Sequence, residues 1–536
     1  MFATIPVGAP YYPDGAKPRK LPPQTPVRFP QCTPQSNGKA ASSSDDSLVS
    51  LLQSIHRPAD IRLSHLEALG LHVITDAQPQ DLIPESNYLP PVEAWNAIQA
   101  DDLLRANDAT KRPLSNGNLS PGAQMYRERR DELLLDNTAA FRSIRRIPPP
   151  TGESSVRLGN AYEFFKNLDF FSTYWDDTSL PPKEVPSAED SSQGTDEPHD
   201  KPGVPSHNAT HQRIGTGSQL PPEYRQNLMT SFVKLVAYDF GCNVSIARSE
   251  PRLHLTPPST TSSPPSHFNS SAHFIYRTPT ERSAARGGIV EGPVATISCR
   301  TSTIFATEAD SLLDLSREVV AVIITAQHRA REGKTEKRFG QDQWWTTVPR
   351  WGGGPGGPIG READKADETA SASTLPAPIT QVEEKISPVT SETRRIFGIN
   401  PTPTKRSKRG KENLQIYDNY RKLLPPAPTW DRRTRYMPIG KPVPGKGYDD
   451  IFLISALNHH VSIVRVRVPD VLLGVLEGGS GQWRKVVMWR SKWFDLFLSD
   501  DRVEAMQIVW GMMAWLMRRV DGPLPVKGQG EKMDTT

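Results

Sequence analysis

Residues 448–468 read YDDIFLISALNHHVSIVRVRV and residues 501–520 read DRVEAMQIVWGMMAWLMRRV; these two stretches decide the fold class. Ile451 to Leu457 is an apolar run that only Ser455 interrupts. Asn458-His459-His460 ends it. From Val461 to Val468 the chain then alternates, with Val464, Val466 and Val468 on one side and Arg465 and Arg467 on the other. That pattern predicts a pair of strands with one face in water. From Trp489 the period changes, since Trp489, Trp493, Leu496 and Phe497 follow helical spacing. Asp501 followed by Glu504 has the form of a capping box and predicts a last helix over Arg502 to Arg519. Ile508, Val509, Trp510, Met512, Met513, Trp515, Leu516 and Met517 are too many apolar residues for one surface stripe, so this helix is expected to lie deep.

Working back from this block, Ser311 to Arg331 predicts a core helix, because Val319 to Ala326 is apolar nearly all round. Short strands are expected at Asn243 to Ala247, Ala272 to Arg277 and Pro293 to Cys299. Pro222 to Phe240 carries Leu228, Phe232, Leu235, Val236 and Phe240 on one helical face, and Gly241 ends it. Nearer the N-terminus, Leu48 to Ile55 is expected as a helix with Asp46 as N-cap, Leu63 to Leu69 as a second ending at Gly70, and Pro121 to Ile147 as one long charged helix. Runs of strands followed by runs of helices occur twice, which favours an α+β fold over a wound parallel sheet.

Composition limits how much of the chain folds. Of 536 residues, 51 are proline and only 36% are apolar, and the mean hydropathy is -0.53. A uniform globule needs more apolar material, so part of the length is expected to be disordered. The polar, Pro/Ser-rich stretches are a tail at 1–44, a linker at 177–219, a basic and polar insert at 353–412, a smaller insert from Thr256 to Ser271 and a tail at 521–536. Between them, a mainly helical piece at 45–176 and α+β pieces at 220–352 and 413–520 are expected to make one discontinuous globular body.

The formal charge of +4 is too near balance to imply a polyanion partner for the whole chain. Cys32, Cys242 and Cys299 are far apart with no His at ligand spacing, which argues against a zinc site or a disulfide framework. No run of 18 apolar residues exists and the Pro-rich start lacks the apolar core of a secretory signal. A soluble protein of nucleus or cytoplasm, with no membrane contact, is the expectation.

Several constellations invite a chemical reading, and each has a plainer one beside it. Lys405, Arg406, Lys408, Arg409 and Lys411 form a run the size of a nuclear-import peptide or a polyanion contact, or simply a solvated charge run. Across Lys405 to Lys446, Tyr417, Tyr420, Trp430 and Tyr436 alternate with basic residues. Such a pattern suits single-stranded nucleic acid, but equally suits aromatics packed on the body beneath wet arginines. The glycines of 352–357 lack the Gly-Lys-Ser/Thr of a phosphate loop, and Pro355 and Pro358 remove amides it would need. His459-His460, with Asp449-Asp450 at the hairpin entrance, suggest metal ligands or an acid/base pair. Neighbours in a strand point to opposite faces, however, so the two rings converge only if the turn is unusual.

Tyr162 to Trp175 holds eight large apolar side chains, among them Phe164, Phe165, Phe170, Phe171 and Trp175. At about 1.5–3 kcal/mol for each one buried, the stretch must dock, either within the chain or onto a protein partner. Trp489, Trp493, Trp510 and Trp515 read as core. Ser120, Thr256, Ser263, Thr278, Ser387 and Thr402 each precede proline and are accessible in principle to a proline-directed kinase, although such dipeptides are common in a Pro-rich chain.

No catalytic set, cofactor motif or metal motif is present in the sequence. The function expected is therefore a non-catalytic interaction or scaffold protein with phosphorylatable flexible loops and protein partners. The alternatives are a nucleic-acid-associated protein using 405–446 with Arg465 and Arg467, and an enzyme of unknown class with a cleft between the 272–331 and 448–520 pieces.

Overall fold

The apolar run at 451–457 becomes the middle of a mixed sheet. The computed structural model describes residues 23–35, 47–180, 213–246, 251–270, 272–286, 289–330, 348–349, 435–437, 439–441 and 446–520. Its strands, in chain order, are β1 (Leu71–Ile74), β2 (Cys242–Ile246), β3 (Arg252–Leu255), β4 (Ser266–Asn269), β5 (His273–Arg277) and β6 (Ile289–Arg300). They continue with β7 (Val348–Pro349), β8 (Arg435–Met437), β9 (Tyr448–Leu457), β10 (His460–Pro469), β11 (Val486–Arg490) and β12 (Phe494–Asp495). The main sheet runs β1-β11-β10-β9-β6-β5-β2, with β8 beside β6 and β12 beside β10. The β6–β9, β6–β8 and β1–β11 pairs are parallel and the others antiparallel. A small second sheet joins β3, β4 and β7.

The helices begin with α1 (Leu48–Gln53), α2 (Leu63–Ala68), α3 (Pro79–Leu82), α4 (Val92–Ala97), α5 (Ala100–Thr110), α6 (Ala123–Leu133), α7 (Asn137–Arg145) and α8 (Tyr162–Phe171). After these come α9 (Pro222–Ala237), α10 (Arg282–Arg286), α11 (Glu308–Ala330), α12 (Asp470–Leu476) and α13 (Ser499–Met517). The fold is α+β, and helices cover both faces of the sheet.

Alternation along β9 divides its side chains between two apolar cores. Phe452, Ile454 and Ala456 join Ile275, Ile297 and Ile463 under α6, α8, α9 and α13. Ile451 and Leu453 join Phe274, Val464, Val466 and Met488 on the opposite face, under α1, α2, α11 and α12. Both faces being dry explains why Ile451 to Ile454 is apolar without alternation. The 45–176 piece contributes to both cores, from Val49 and Leu66 on one side to Phe164 and Trp175 on the other, and supplies the edge strand β1.

Three local expectations are overturned by tertiary pairing. The β9–β10 pair has no wet face: Arg465 is buried, its guanidinium 3.9 Å from the Trp489 ring centre, and Arg467 lies 4.2 Å over Tyr448. Trp489 belongs to a strand, because residues 486–490 bond to β10 and β1 at once; two ladders outweigh a local helical period. The last helix starts at Ser499 behind Leu498, so Asp501 sits in its first turn and accepts from the Asp495 amide at 2.8 Å instead of capping.

Smaller departures have equally local causes. Asp136 caps α7 by accepting from the Ala139 amide, splitting the charged helix expected at 121–147 into α6 and α7. Ser47, not Asp46, caps α1. Part of the small insert at 256–271 is β4, which pairs with β3. Val319 to Ala326 does lie in a buried helix, and α13 is buried along most of its length. Among the described residues, no helix is long and apolar enough to cross a membrane.

Candidate functional site

Three arrangements concentrate polar chemistry: the bases of the two long polar segments, an ionic network behind β9, and the β9–β10 turn.

Apart from the two residues of β7, nothing between Ala330 and Arg435 is among the described residues, and a buried guanidinium closes the gap between the end of α11 and the return of the chain. Arg329 donates to the Ile439 carbonyl and the Pro293 carbonyl, each at 2.9 Å, and pairs with the Asp449 carboxylate at 2.7 Å. β8 adds its own ladder to β6 on the return. The segment between Leu180 and Arg213 is closed in the same way. The Ile214 amide donates to the Thr173 carbonyl at 2.8 Å, and Arg213 pairs with Asp176 at 2.8 Å while also donating to the Pro23 carbonyl. Gly217 lies so close to the Trp175 indole that a Cβ there would sit 2.3 Å from a ring carbon.

The network behind β9 occupies the junction between the 272–331 and 448–520 pieces, where an enzymatic cleft was one expectation. Arg300 of β6 pairs with Asp314 at 2.6 Å and Glu318 at 2.8 Å, both on α11, and donates to the Ser455 hydroxyl at 2.8 Å. Arg490 completes the set through a close pair with Glu318. Burial alone would raise the Glu318 carboxyl; Arg490 and Arg300 overcome it and hold the group below its ordinary value. For Asp314 burial prevails over Arg300 and the pKa rises. At that junction Arg300, Asp314, Glu318 and Ser455 are buried beside the β6–β9 ladder.

The turn between β9 and β10 has two residues, Asn458 and His459. Asn458 takes the left-handed conformation with φ 57°, which asparagine tolerates and which suits a tight hairpin. It is pinned there: its side-chain oxygen accepts from Arg225 at 2.7 Å, and its amide nitrogen donates to the Ser302 carbonyl at 3.0 Å. Arg225 is itself fully buried, and burial pushes its pKa down to about 10.

This is the unusual turn that adjacent histidines need in order to converge. The His459 and His460 ring centres are 4.1 Å apart. Their acidic neighbour is Asp495 of β12, not Asp449 or Asp450; its carboxylate oxygens lie 3.8 Å from His459 Nε2 and 3.7 Å from His460 Nε2. Those separations are longer than hydrogen bonds. Nδ1 of each ring is buried with no hydrogen-bond partner. Burial lowers the pKa of both imidazoles, most strongly at His459, where His460 and Arg225 add to it, while Asp495 partly offsets it at His460. Both rings are therefore neutral at physiological pH.

The aromatic stretch at 162–175 lines this region. Phe164, Phe165, Phe171 and Trp175 are buried in the core shared with α9 and α13, and Phe170 stacks on Tyr224 with ring centres 3.9 Å apart. These five rings thus have neighbours within the chain. Trp175 approaches His459 edge-on at 5.0 Å. Lys405, Arg406, Lys408, Arg409 and Lys411 lie outside the described residues. Cys242 is buried and its thiol is pushed up to about 12 by burial, which leaves it unreactive at neutral pH. A cavity of about 30 Å³ between α1, α2 and α11, lined by Leu52, Ile55, Leu66, Leu253, Phe268 and Ile323, is apolar.

Asp495, Thr178, Asn458 and Arg225 escape a reading of the sequence. Asp495 is distant in sequence from the histidines, and only the short β12–β10 pairing brings it back. The one local sign is the Asn458-His459 pair between two strands, a place where asparagine signals a two-residue turn. No family model matches this chain, and neither a curated protein nor a solved structure is similar to it.

Proposed function

We propose that the protein is a non-catalytic interaction body that presents its long Pro/Ser/Thr-rich segments to protein partners from bases closed within its core. The observation that carries this is the Arg329 contact, a buried guanidinium joining the end of α11 to the Ile439 carbonyl and to Asp449. With the base closed there, the length and sequence of the segment between can vary at little cost to the body, since loop-closure entropy grows only with the logarithm of length. The Arg213–Asp176 pair gives the shorter segment the same support. Ser387-Pro388 and Thr402-Pro403 fall in the longer segment, and phosphate on Thr402 would set negative charge beside Lys405, Arg406, Lys408, Arg409 and Lys411.

The experiment is affinity purification with cross-linking from matched cell extracts, using the full chain and a variant whose residues 353–432, beyond β7, are replaced by a short Gly/Ser linker. Reproducible partners of the full chain that disappear with the linker variant, while its thermal transition stays in place, support the reading. Partners retained undiminished by the linker variant, or none captured by the full chain, remove it.

A further inference from the structure

We propose that the β9–β10 turn and β12 form a binding site for one first-row divalent cation, with an imidazole nitrogen from each of His459 and His460 and a carboxylate oxygen from Asp495 as its ligands. Among the described residues these three offer donor atoms that all lie within 4.8 Å of one another. The two Nε2-to-carboxylate separations, 3.8 and 3.7 Å, are too long for hydrogen bonds and only slightly wider than a tetrahedral ion requires. With bonds of about 2.0–2.2 Å, such an ion spaces its ligand atoms about 3.3–3.6 Å apart.

Burial is the second observation: His459 is 2% exposed, its Nε2 and that of His460 meet the Asp495 carboxylate at more than hydrogen-bond length, and the other nitrogen of each ring, Nδ1, is buried without a hydrogen-bond partner. Polar atoms gathered inside a protein normally have partners, and packing gives no reason to set two histidines and an aspartate face to face without direct bonds. A shared cation gives one.

The carboxylate is also held in the way ligands usually are. Thr178 donates its hydroxyl to Asp495 Oδ2 at 2.7 Å, and the Phe497 amide donates to Oδ1 at 2.9 Å. Bonds of that kind fix a ligand's orientation. Two imidazoles and one carboxylate suit zinc and its first-row neighbours rather than magnesium or calcium, which prefer oxygen throughout. The bound ion would tie the β9–β10 turn to β12 and, through Thr178, to the point where the chain leaves the described body after Leu180.

The test uses the full-length chain, stripped with a chelator and titrated with Zn²⁺ in competition with a chromophoric chelator; excess Mg²⁺ serves as control. One Zn²⁺ per chain is expected, undisturbed by Mg²⁺. Asp495→Asn and His460→Gln should weaken uptake by more than about ten-fold, and Thr178→Val by about 10- to 100-fold, the range seen when a supporting hydrogen bond is removed from a ligand. Circular dichroism shows which variants fold. Thr178 is exposed, so Thr178→Val still reads the site should the buried variants fail to fold. Absence of stoichiometric uptake by the natural chain overturns the proposal. Uptake unchanged in Thr178→Val and in whichever buried variant folds does so too, because the ion is then held elsewhere.

Discussion

The guanidinium of Arg329 donates to the carbonyl of Ile439 at 2.9 Å, joining residues 110 positions apart. The same group holds the Asp449 carboxylate at the start of β9, so one side chain fixes the end of α11, the returning chain and the central strand. Arg329→Met keeps the length and removes the charge, leaving Asp449 buried and unpaired. Breaking one side of a buried pair typically costs about 3–5 kcal/mol. Urea denaturation of Arg329→Met should show a loss in that range. Arg329→Lys should recover only part of it, since an ammonium cannot reach two carbonyls and a carboxylate in the fork geometry of arginine. A loss below about 1 kcal/mol would mean that β8 alone closes the base.

A pH effect follows from His273. Both its ring nitrogens are buried without a partner, and burial, aided by Lys234, lowers its pKa from 6.5 to about 4. The folded state therefore resists protonation where the unfolded chain accepts it. The contribution is in place above pH 6.5 and is lost progressively as the pH falls from 6.5 to about 4, because the unfolded state binds the extra proton in that window. At about 1.4 kcal/mol per pKa unit, the full loss is about 3 kcal/mol. His273→Leu removes the group, so its stability relative to the natural chain should improve by about 2 kcal/mol between pH 7 and pH 5. Chemical denaturation at the two pH values measures this, and an unchanged difference would show that His273 does not titrate as its burial requires.

The network behind β9 should act as a unit. Glu318→Gln leaves the buried Arg300 and Arg490 short of a counter-charge, at a cost of about 3–5 kcal/mol. Adding Arg490→Met to that variant should cost much less than it does in the natural chain, because its partner has already gone. A double-mutant cycle over Glu318 and Arg490 is expected to return a coupling of about 1–3 kcal/mol. Additive effects would mean that the Glu318–Arg490 contact contributes nothing of its own.

What could be read in the sequence depended on whether the signal was local. The β9 run, the apolar face of α9 and the burial of α13 all show in consecutive residues, because each element buries a face whose period is its own. β11 does not show, since Trp489 at helical distance from Trp493 is outvoted by ladders to β10 and to β1, the latter some 400 residues away. The His459, His460 and Asp495 cluster is hidden for a related reason. Its geometry depends on one left-handed residue, Asn458, and on a two-residue strand that no propensity marks. Arg465 shows the opposite error: alternation placed it correctly on the face opposite the valines, but nothing in β10 itself reveals that Trp489 and α3 cover that face.

The return of the chain against the last helix can be tested at a glycine. Gly440 has φ +69°, and a Cβ built on it would lie 2.5 Å from the Leu516 carbonyl oxygen of α13. Arg518 ties the next residue down by donating to the Lys441 carbonyl at 3.1 Å. Gly440→Ala therefore meets two obstacles, a left-handed backbone costing about 1–2 kcal/mol and a contact with backbone that cannot swing aside. Gly241, with φ +71° and nothing within 4 Å of its Cβ position, meets only the first. Gly241→Ala should lose about 1 kcal/mol, and Gly440→Ala at least about 2 kcal/mol more through overpacking. If the two substitutions cost the same in thermal and urea unfolding, residues 439–441 are not seated on α13.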